Sequence, residues 1–319
     1  MNTSVEPSED IRNFIDNSNA SHHNENAHYL IATEGHPVKI ANLKGRLALV
    51  VGDGKAIDVE TASNGRFSSS IQDVYAVWAE FTSWAATAPT DGATMFELSD
   101  LGSPTPAPSQ VFAIGLNYAT HAAESGFKIP EQPVVFTKYQ SCLTGPTGEI
   151  VLPTGGNVDW ETELVVVIGK EASNVSVADA WDFVAGLTLG QDISERITQA
   201  AGPAPQFGLG KSFANFGPTG PVVVTTDEFA NRDAIRLGCS INGEEMQNGN
   251  TADFIFPVSE LISRLSKIVT LRAGDIIFTG TPAGVGLGRT PQVYLKPGDV
   301  LETWADGIGE FRHVFVEAH

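Results

Sequence analysis

The chain has 319 residues, with 38 acidic side chains against 19 basic ones and a formal net charge of −19. Such a length can bury one large core and hold a smaller domain beside it, and the charge excludes nucleic acid and anionic membrane surfaces as partners. Two cysteines, Cys142 and Cys239, imply no disulfide framework; with no apolar run of about 18 residues and no basic-then-apolar leader, the reducing cytoplasm is the expected location.

Residues 1–26 are rich in Asn, Ser and acid and are expected to form a mobile tail, with His22, His23 and the nearby His28 solvated. Tyr29–Thr33, Arg46–Gly52 and Ala56–Val59 read as short strands punctuated by Gly and Asp. Ile71, Val74, Tyr75, Trp78, Phe81 and Trp84 recur at helical spacing after serines able to cap the start, and this aromatic stripe reads as core. A Pro/Ser/Gly-rich stretch, residues 100–109, closes a small N-terminal α/β domain spanning 27–109. Residues 110–319 form the second and larger domain.

That larger domain opens with Val111–Gly126, a strand, a turn and a short helix. His121 and Glu124 are three apart and share a helical face. Alone, H-x-x-E is commonly a surface pair; but His121 is the only histidine between His36 and His313, and a Glu beside a His fixes its tautomer and raises its basicity, as a general base requires. In D-W-E-T-E-L-V-V-V-I-G-K, Asp159–Lys170, Glu161 and Glu163 head a β-branched run, and a strand turns residues i and i+2 to one face. Asp192 follows a second strand-like run, Val184–Leu189, so strand pairing brings a third carboxylate to the same place. An exposed strand face and a helix cap would explain the same residues; gathered together, the three repel unless a cation holds them, and an all-oxygen set suits Mg²⁺, with Mn²⁺ or Ca²⁺ as alternatives. A helical reading from Asp192 stacks Arg196 and Gln199 on its face, where a guanidinium can grip an anionic substrate in a bidentate way.

Two glycine-rich stretches fail as nucleotide motifs. A phosphate loop ending at Gly210-Lys211-Ser212 needs Gly where Pro205 stands, and Gly280–Gly288 follows the strand-like D-I-I-F-T-G but is followed by R-T-P-Q, not a helix. The second stretch reads either as backbone N–H groups and a Thr281 hydroxyl holding a substrate carboxylate, or as a structural tight turn. Ile241–Gln247 reads as a hairpin turn, and Val258, Leu261, Ile262 and Leu265 mark a helix. Val293–Leu295 and Val300–Val316 read as strands. Strands outnumber helices without a β-α-β-α rhythm, so a doubly wound sheet is excluded.

E-x-E-L-x-V-V-I-G-K, D-I-S-x-R-x-x-Q, G-K-S-F and T-G-T-P-A-G-V-G occur in this order, and together they resemble the fumarylacetoacetate hydrolase family over residues 111–316. The resemblance implies an α+β, strand-rich fold: a mixed β-sandwich or roll of the fumarylacetoacetate hydrolase C-terminal type. It implies a metal held by Glu161, Glu163 and Asp192, a catalytic dyad of His121 and Glu124 on a mobile lid, and Lys211 near the metal to stabilise an oxyanion. Lys138 matches a lysine near the site and, with Arg196, Gln199 and Thr281, is expected to bind substrate. Some relatives carry an acidic residue where Thr120 stands, so a fourth carboxylate ligand is not expected from that position. The expected activity is C–C bond hydrolysis of a small 2,4-dioxo acid such as an acylpyruvate. Decarboxylation, hydration or isomerisation of a 2-oxo acid on the same site is the alternative. A homodimer is the implied assembly.

Overall fold

The computed structural model describes residues 37–318, apart from 53, 125 and 127; the tail 1–26 and the strand expected at Tyr29–Thr33 lie outside the described residues. The fold is α+β and strand-rich, built on two mixed sheets. Its strands are β1 (Lys39–Leu43), β2 (Arg46–Gly52), β3 (Lys55–Asp58), β4 (Val111–Gly115), β5 (Val134–Thr137), β6 (Thr147–Leu152) and β7 (Thr162–Ile168). There follow β8 (Val184–Gln191), β9 (Gly217–Val224), β10 (Arg236–Ile241), β11 (Glu244–Asn250), β12 (Ile276–Phe278), β13 (Val300–Ala305) and β14 (Gly309–Glu317). The larger sheet runs β3-β2-β1-β9-β8-β7-β12-β4-β5, with β12 and β4 parallel; the smaller runs β11-β10-β13-β14-β6, with β14 and β6 parallel.

The sequence T-E-L-V-V-V-I of β7 shows why the larger sheet lies inside the molecule. All seven residues are buried. Leu164, Val166 and Ile168 enter one core with Leu237, Phe311 and the helix Val258–Ser266, whereas Val165 and Val167 enter another with Tyr75 and Phe81. A strand apolar on both faces needs a layer on each side, and the aromatic stripe supplies one of them. That stripe is not a single helix: helical turns at Ile71–Val74 and Trp78–Ala85 flank a 3₁₀ turn at Tyr75–Val77. Ser70 occupies the cap position without capping by its side chain; Ser68 Oγ instead bonds Asp73 and accepts from Ser70 N.

Residues on the two sides of the stretch 100–109 share one sheet, because β1 pairs with both β2 and β9. Within the stretch, Leu101–Gly102 pairs with β1, and Ser103 Oγ lies 2.7 Å from Thr219 Oγ1. The hairpin expected at Ile241–Gln247 joins β10 to β11 through Asn242 and Gly243 at φ 52° and 82°, the two positive values that a type I′ turn demands. Val293–Leu295, expected as a strand, is not one; Leu295 N bonds Val158 O, but Val293 N bonds Gly286 O and folds back onto the glycine-rich segment. Among the described residues no helix is long and apolar enough to cross a membrane.

His313 on β14 is buried, and its Nε2 lies 3.1 Å from Gly145 O while Nδ1 has no partner among the described residues. Burial holds its pKa down to about 4. The unfolded chain therefore binds the extra proton more readily: the stabilisation is complete above pH about 6.5 and is lost as pH falls toward 4, on the order of 3 kcal/mol in all. Denaturation midpoints from pH 7 to 4.5 are expected to fall less steeply in His313→Gln than in the unsubstituted protein; parallel slopes would show that His313 does not contribute.

Candidate metal-binding active site

Two neighbouring central strands deliver the three carboxylates. Glu163 lies on β7 opposite Gly190 of β8, Glu161 just precedes β7, and Asp192 just follows β8. Gln191 fixes this corner, accepting from Glu161 N at 3.0 Å and donating to Thr162 Oγ1 and Thr303 Oγ1. Gly190 is required by packing: a Cβ there would stand 2.6 Å from Val165 Cγ2 and 2.7 Å from Phe278 Cε1. Ligand oxygens of Glu161, Glu163 and Asp192 come within 4.8 Å of one another, and all three residues are buried.

Cations surround the carboxylates unevenly. Lys211 Nζ donates to Glu161 Oε2 at 2.6 Å and Asp192 Oδ2 at 2.7 Å, and Lys138 Nζ donates to Asp192 Oδ1 at 2.8 Å. Arg196 stands 2.6 Å from Asp159 Oδ1 and 2.8 Å from Glu161 Oε1, charge contacts that lack aligned N–H geometry. Burial raises the pKa of Glu161, but Lys211, Arg196 and His121 outweigh it and hold the carboxyl down at about 2. Glu163 goes the other way: burial, then Asp192 and Glu161, push it well above the carboxylate range. No cation pairs with it among the described residues; Glu163 Oε2 accepts from Gly280 N at 2.8 Å. Four carboxylates against three cationic side chains leave one charge uncompensated when all are ionised, and Glu163, pushed well above the carboxylate range, holds a proton in its place unless a cation joins the all-oxygen donor set. These residues therefore fit a hard divalent cation.

The glycine-rich segment, expected to hold a substrate carboxylate or to form a structural tight turn, does turn at Gly286–Arg289. Three of its N–H groups hold the site's own carboxylates: Gly280 on Glu163, Gly284 on Glu124 at 2.9 and 3.1 Å, and Leu287 on Asp159 at 2.7 Å. Gly280 and Gly284 have φ of 103° and 108°, and a Cβ at Gly288 would meet Glu124 Cδ at 2.9 Å; side chains here would push the carboxylates away. Glu124, so held, lies 2.8 Å from His121 Nδ1 on the helix Ala119–Glu124. An ionised carboxylate there makes Nδ1 the donor and leaves Nε2 the free basic nitrogen.

His121, Glu161, Arg196, Gln199 and Lys211 line one cavity of about 250 Å³. Thr281 and Lys138, expected at the substrate, are not among its lining residues. Thr281 Oγ1 accepts from Gln247 Nε2 at 2.7 Å. The Lys138 ammonium is fully engaged by Asp192, Lys211 O and Phe216 O, so it positions Asp192. The helix expected from Asp192 is also interrupted: Ser194–Glu195 pairs with Val158–Asp159, and only Arg196–Gln199 is helical, capped by Glu195 through Ile197 N and Thr198 N. Arg196 and Gln199 nevertheless meet at 2.9 Å. Asp159 joins the site beyond the residues expected there, and the alternation Asp159, Glu161, Glu163 is its signal in the sequence; for Gln191 and Gln247 the local sequence carries no signal.

Fold and site define a class of protein: a mixed-sheet scaffold with a buried carboxylate trio able to hold a metal beside a His–Glu pair. Residues 110–316 match the family model described as fumarylacetoacetate (FAA) hydrolase C-terminal, and the chain belongs to the fumarylacetoacetate hydrolase family. It is 42% identical over 208 residues to the mitochondrial oxaloacetate tautomerase FAHD2A of Bos taurus, a match covering 65% of this chain and 66% of that protein. The chain thus spans about two thirds of the length of this curated relative. A crystal structure of a Mycobacterium smegmatis protein designated HpcE is similar at TM-score 0.85 and 52% identity, covering 88% of this chain and 100% of that one. A maleylpyruvate hydrolase from Sphingobium sp. SYK-6, in complex with manganese(II) ion and pyruvate, is similar at TM-score 0.73 and 26% identity over 88% of this chain and 100% of that one.

Charge balance at the trio predicts opposite effects from two substitutions. Glu163→Gln replaces a carboxyl that keeps its proton without metal by a neutral isostere, so the metal-free melting temperature is expected not to fall, while the rise produced by saturating Mn²⁺ shrinks. Lys211→Met removes a cation that shares Glu161 and Asp192 with any metal, so calorimetric Mn²⁺ affinity is expected to hold or increase. A full Mn²⁺ response in Glu163→Gln would place the metal elsewhere.

Proposed function

We propose that this protein is a divalent-metal-dependent hydrolase that cleaves the C3–C4 bond of a small 2,4-dioxo acid, with Mg²⁺ or Mn²⁺ as the metal. The observation that carries this reading is a histidine, its carboxylate partner fixed by backbone, opening on the same cavity as Glu161 of the trio and Lys211. The manganese and pyruvate in the name of the Sphingobium hydrolase structure support it. A divalent cation on Glu161, Glu163 and Asp192 would attract the 2-oxo acid end and disperse negative charge developing on its 2-oxygen.

Within that frame each residue has a defined task. His121 Nε2 takes a proton from water, while Glu124 accepts from Nδ1 and stabilises the imidazolium that forms. The hydroxide adds to the C4 carbonyl, and the Lys211 ammonium supports the alkoxide. The C3–C4 bond then breaks: the acyl part leaves as a carboxylic acid, and C3 takes the proton held by the His121 imidazolium to complete pyruvate. Arg196 and Gln199, joined to each other, line the cavity wall and orient the 2-oxo acid. Water, C4 and the base must meet within hydrogen-bonding reach, which the small cavity favours.

A second reading, keto–enol interconversion of a 2-oxo acid by the same base at C3, is favoured by the 42% identity to the bovine protein named as an oxaloacetate tautomerase. One experiment separates the two. With 2,4-dioxo acids, Mn²⁺-dependent bleaching of the enol-diketone band with release of pyruvate, abolished by EDTA and lowered at least about 100-fold in His121→Ala, is expected. Accelerated decay of enol-oxaloacetate without any C–C cleavage of the 2,4-dioxo acids would replace the hydrolase by the tautomerase.

A further inference from the structure

We infer that Asp159 is a positioning residue that sets the metal affinity of the site, by drawing the Arg196 guanidinium away from Glu161 and so leaving that carboxylate for a cation. The inference rests on the reading that Glu161, Glu163 and Asp192 hold a divalent metal. Both oxygens of Glu161 already face a cation: Oε1 stands 2.8 Å from Arg196 Nη2, and Oε2 accepts from Lys211 Nζ at 2.6 Å. A metal must share that carboxylate with them. Of the site's buried acids, Asp159 lies outside the trio, so a cation held by it takes no donor from the metal.

Arg196 is divided between two carboxylates and committed to neither. Its Nε lies 2.6 Å from Asp159 Oδ1 and its Nη2 2.8 Å from Glu161 Oε1, yet neither N–H points along its contact; the aligned hydrogen bond runs from Nη1 to Gln199 Oε1 at 2.9 Å. Asp159, by contrast, is fixed from several directions. It is fully buried, its backbone pairs with Ser194, two residues before Arg196, and its Oδ2 accepts from Leu287 N at 2.7 Å. A Cβ at Gly286 would stand 2.7 Å from Asp159 Cβ, so the glycine-rich segment reaches this acid as bare backbone. Asp159 cannot follow the guanidinium, and its attraction therefore acts on Arg196. In a water-poor volume a unit charge in direct contact dominates the balance. With Asp159 present the guanidinium is shared; without it, Glu161 is the one carboxylate left in contact with Arg196 among the described residues.

The test is calorimetric titration of the full chain with Mn²⁺ alone, without any 2-oxo acid. Asp159→Asn keeps an oxygen for Leu287 N but turns the charge contact with Arg196 into a meeting of two donors. We expect its Mn²⁺ affinity to fall about tenfold or more, and its metal-free crystal structure to show the guanidinium aligned on Glu161. Asp159→Asn/Arg196→Met removes the competing guanidinium as well, and its Mn²⁺ affinity is expected to return to that of the unsubstituted protein or to exceed it. Both members of the pair are gone in this variant and no charge is stranded, so it carries the test even where the single variant fails to fold. An Asp159→Asn affinity within about twofold of the unsubstituted protein overturns the inference. A double variant that binds Mn²⁺ more weakly than the unsubstituted protein also overturns it, leaving Asp159 as a support for Leu287. Both of those outcomes leave the metal site standing, whereas an unsubstituted protein that binds no Mn²⁺ overturns the site reading, and this inference with it.

Discussion

The structure depends on keeping four carboxylates inside one small, water-poor volume. Two such charges about 4 Å apart repel by roughly 4 kcal/mol even at an effective dielectric of about 20, and each also loses its hydration. Every carboxylate is answered by particular atoms: Asp192 by two lysines, Glu161 by Lys211 and Arg196, Asp159 by Arg196 and Leu287 N–H, Glu163 by Gly280 N–H. Only Glu163 is answered by a dipole instead of a full charge. That imbalance makes the cluster a cation receptor and not merely a buried ion network.

The rest of the architecture serves this cluster by making its surroundings rigid. β7 and β8 lie in the middle of the larger sheet, with apolar layers on both faces. The carboxylates at their ends inherit the positions of a core that cannot shift without loss of packing. The glycine-rich segment closes the arrangement from the other side. Its N–H groups reach Glu163, Glu124 and Asp159 because the backbone approaches where side chains would collide. It thereby ties the acid–base pair and the carboxylate trio to one piece of chain, so His121 is held relative to the trio by backbone hydrogen bonds and not by its short helix alone.

The cavity combines two environments with different consequences for selectivity. Its charged end is self-contained, each cation already facing carboxylates, and belongs to the features shared with the family motifs. The other end is built from Leu116, Phe136, Phe207 and Leu287, residues from separate segments with no common motif. Relatives of similar fold carry names that include a tautomerase and a hydrolase. A charged frame drawn from the family motifs, beside an apolar wall that those motifs do not cover, gives a physical basis for such divergence.

Much of this was legible in the sequence where the signal is local. The spacing of Glu161 and Glu163, the β-branched run behind them, Asp192 after a second strand and the H-x-x-E of His121 each follow from strand or helix periodicity, and the N-G hairpin follows from its need for positive φ. Other features depended on distant partners. Lys138 is indistinguishable by spacing from a substrate lysine, and its role emerges only because residues 192, 211 and 216 surround its ammonium. The helix expected from Asp192 begins only at Arg196 because Ser194–Glu195 finds a strand partner at Val158–Asp159, a tertiary pairing that overrides local helical pattern. Glycines 280–288 announce close backbone approach, but not what approaches. Sequence by itself determined which side chains carry the charge and on which faces of their elements they stand; tertiary structure alone decided which charges meet, which are compensated and which remains for a metal, because those answers depend on distances between residues far apart in the chain.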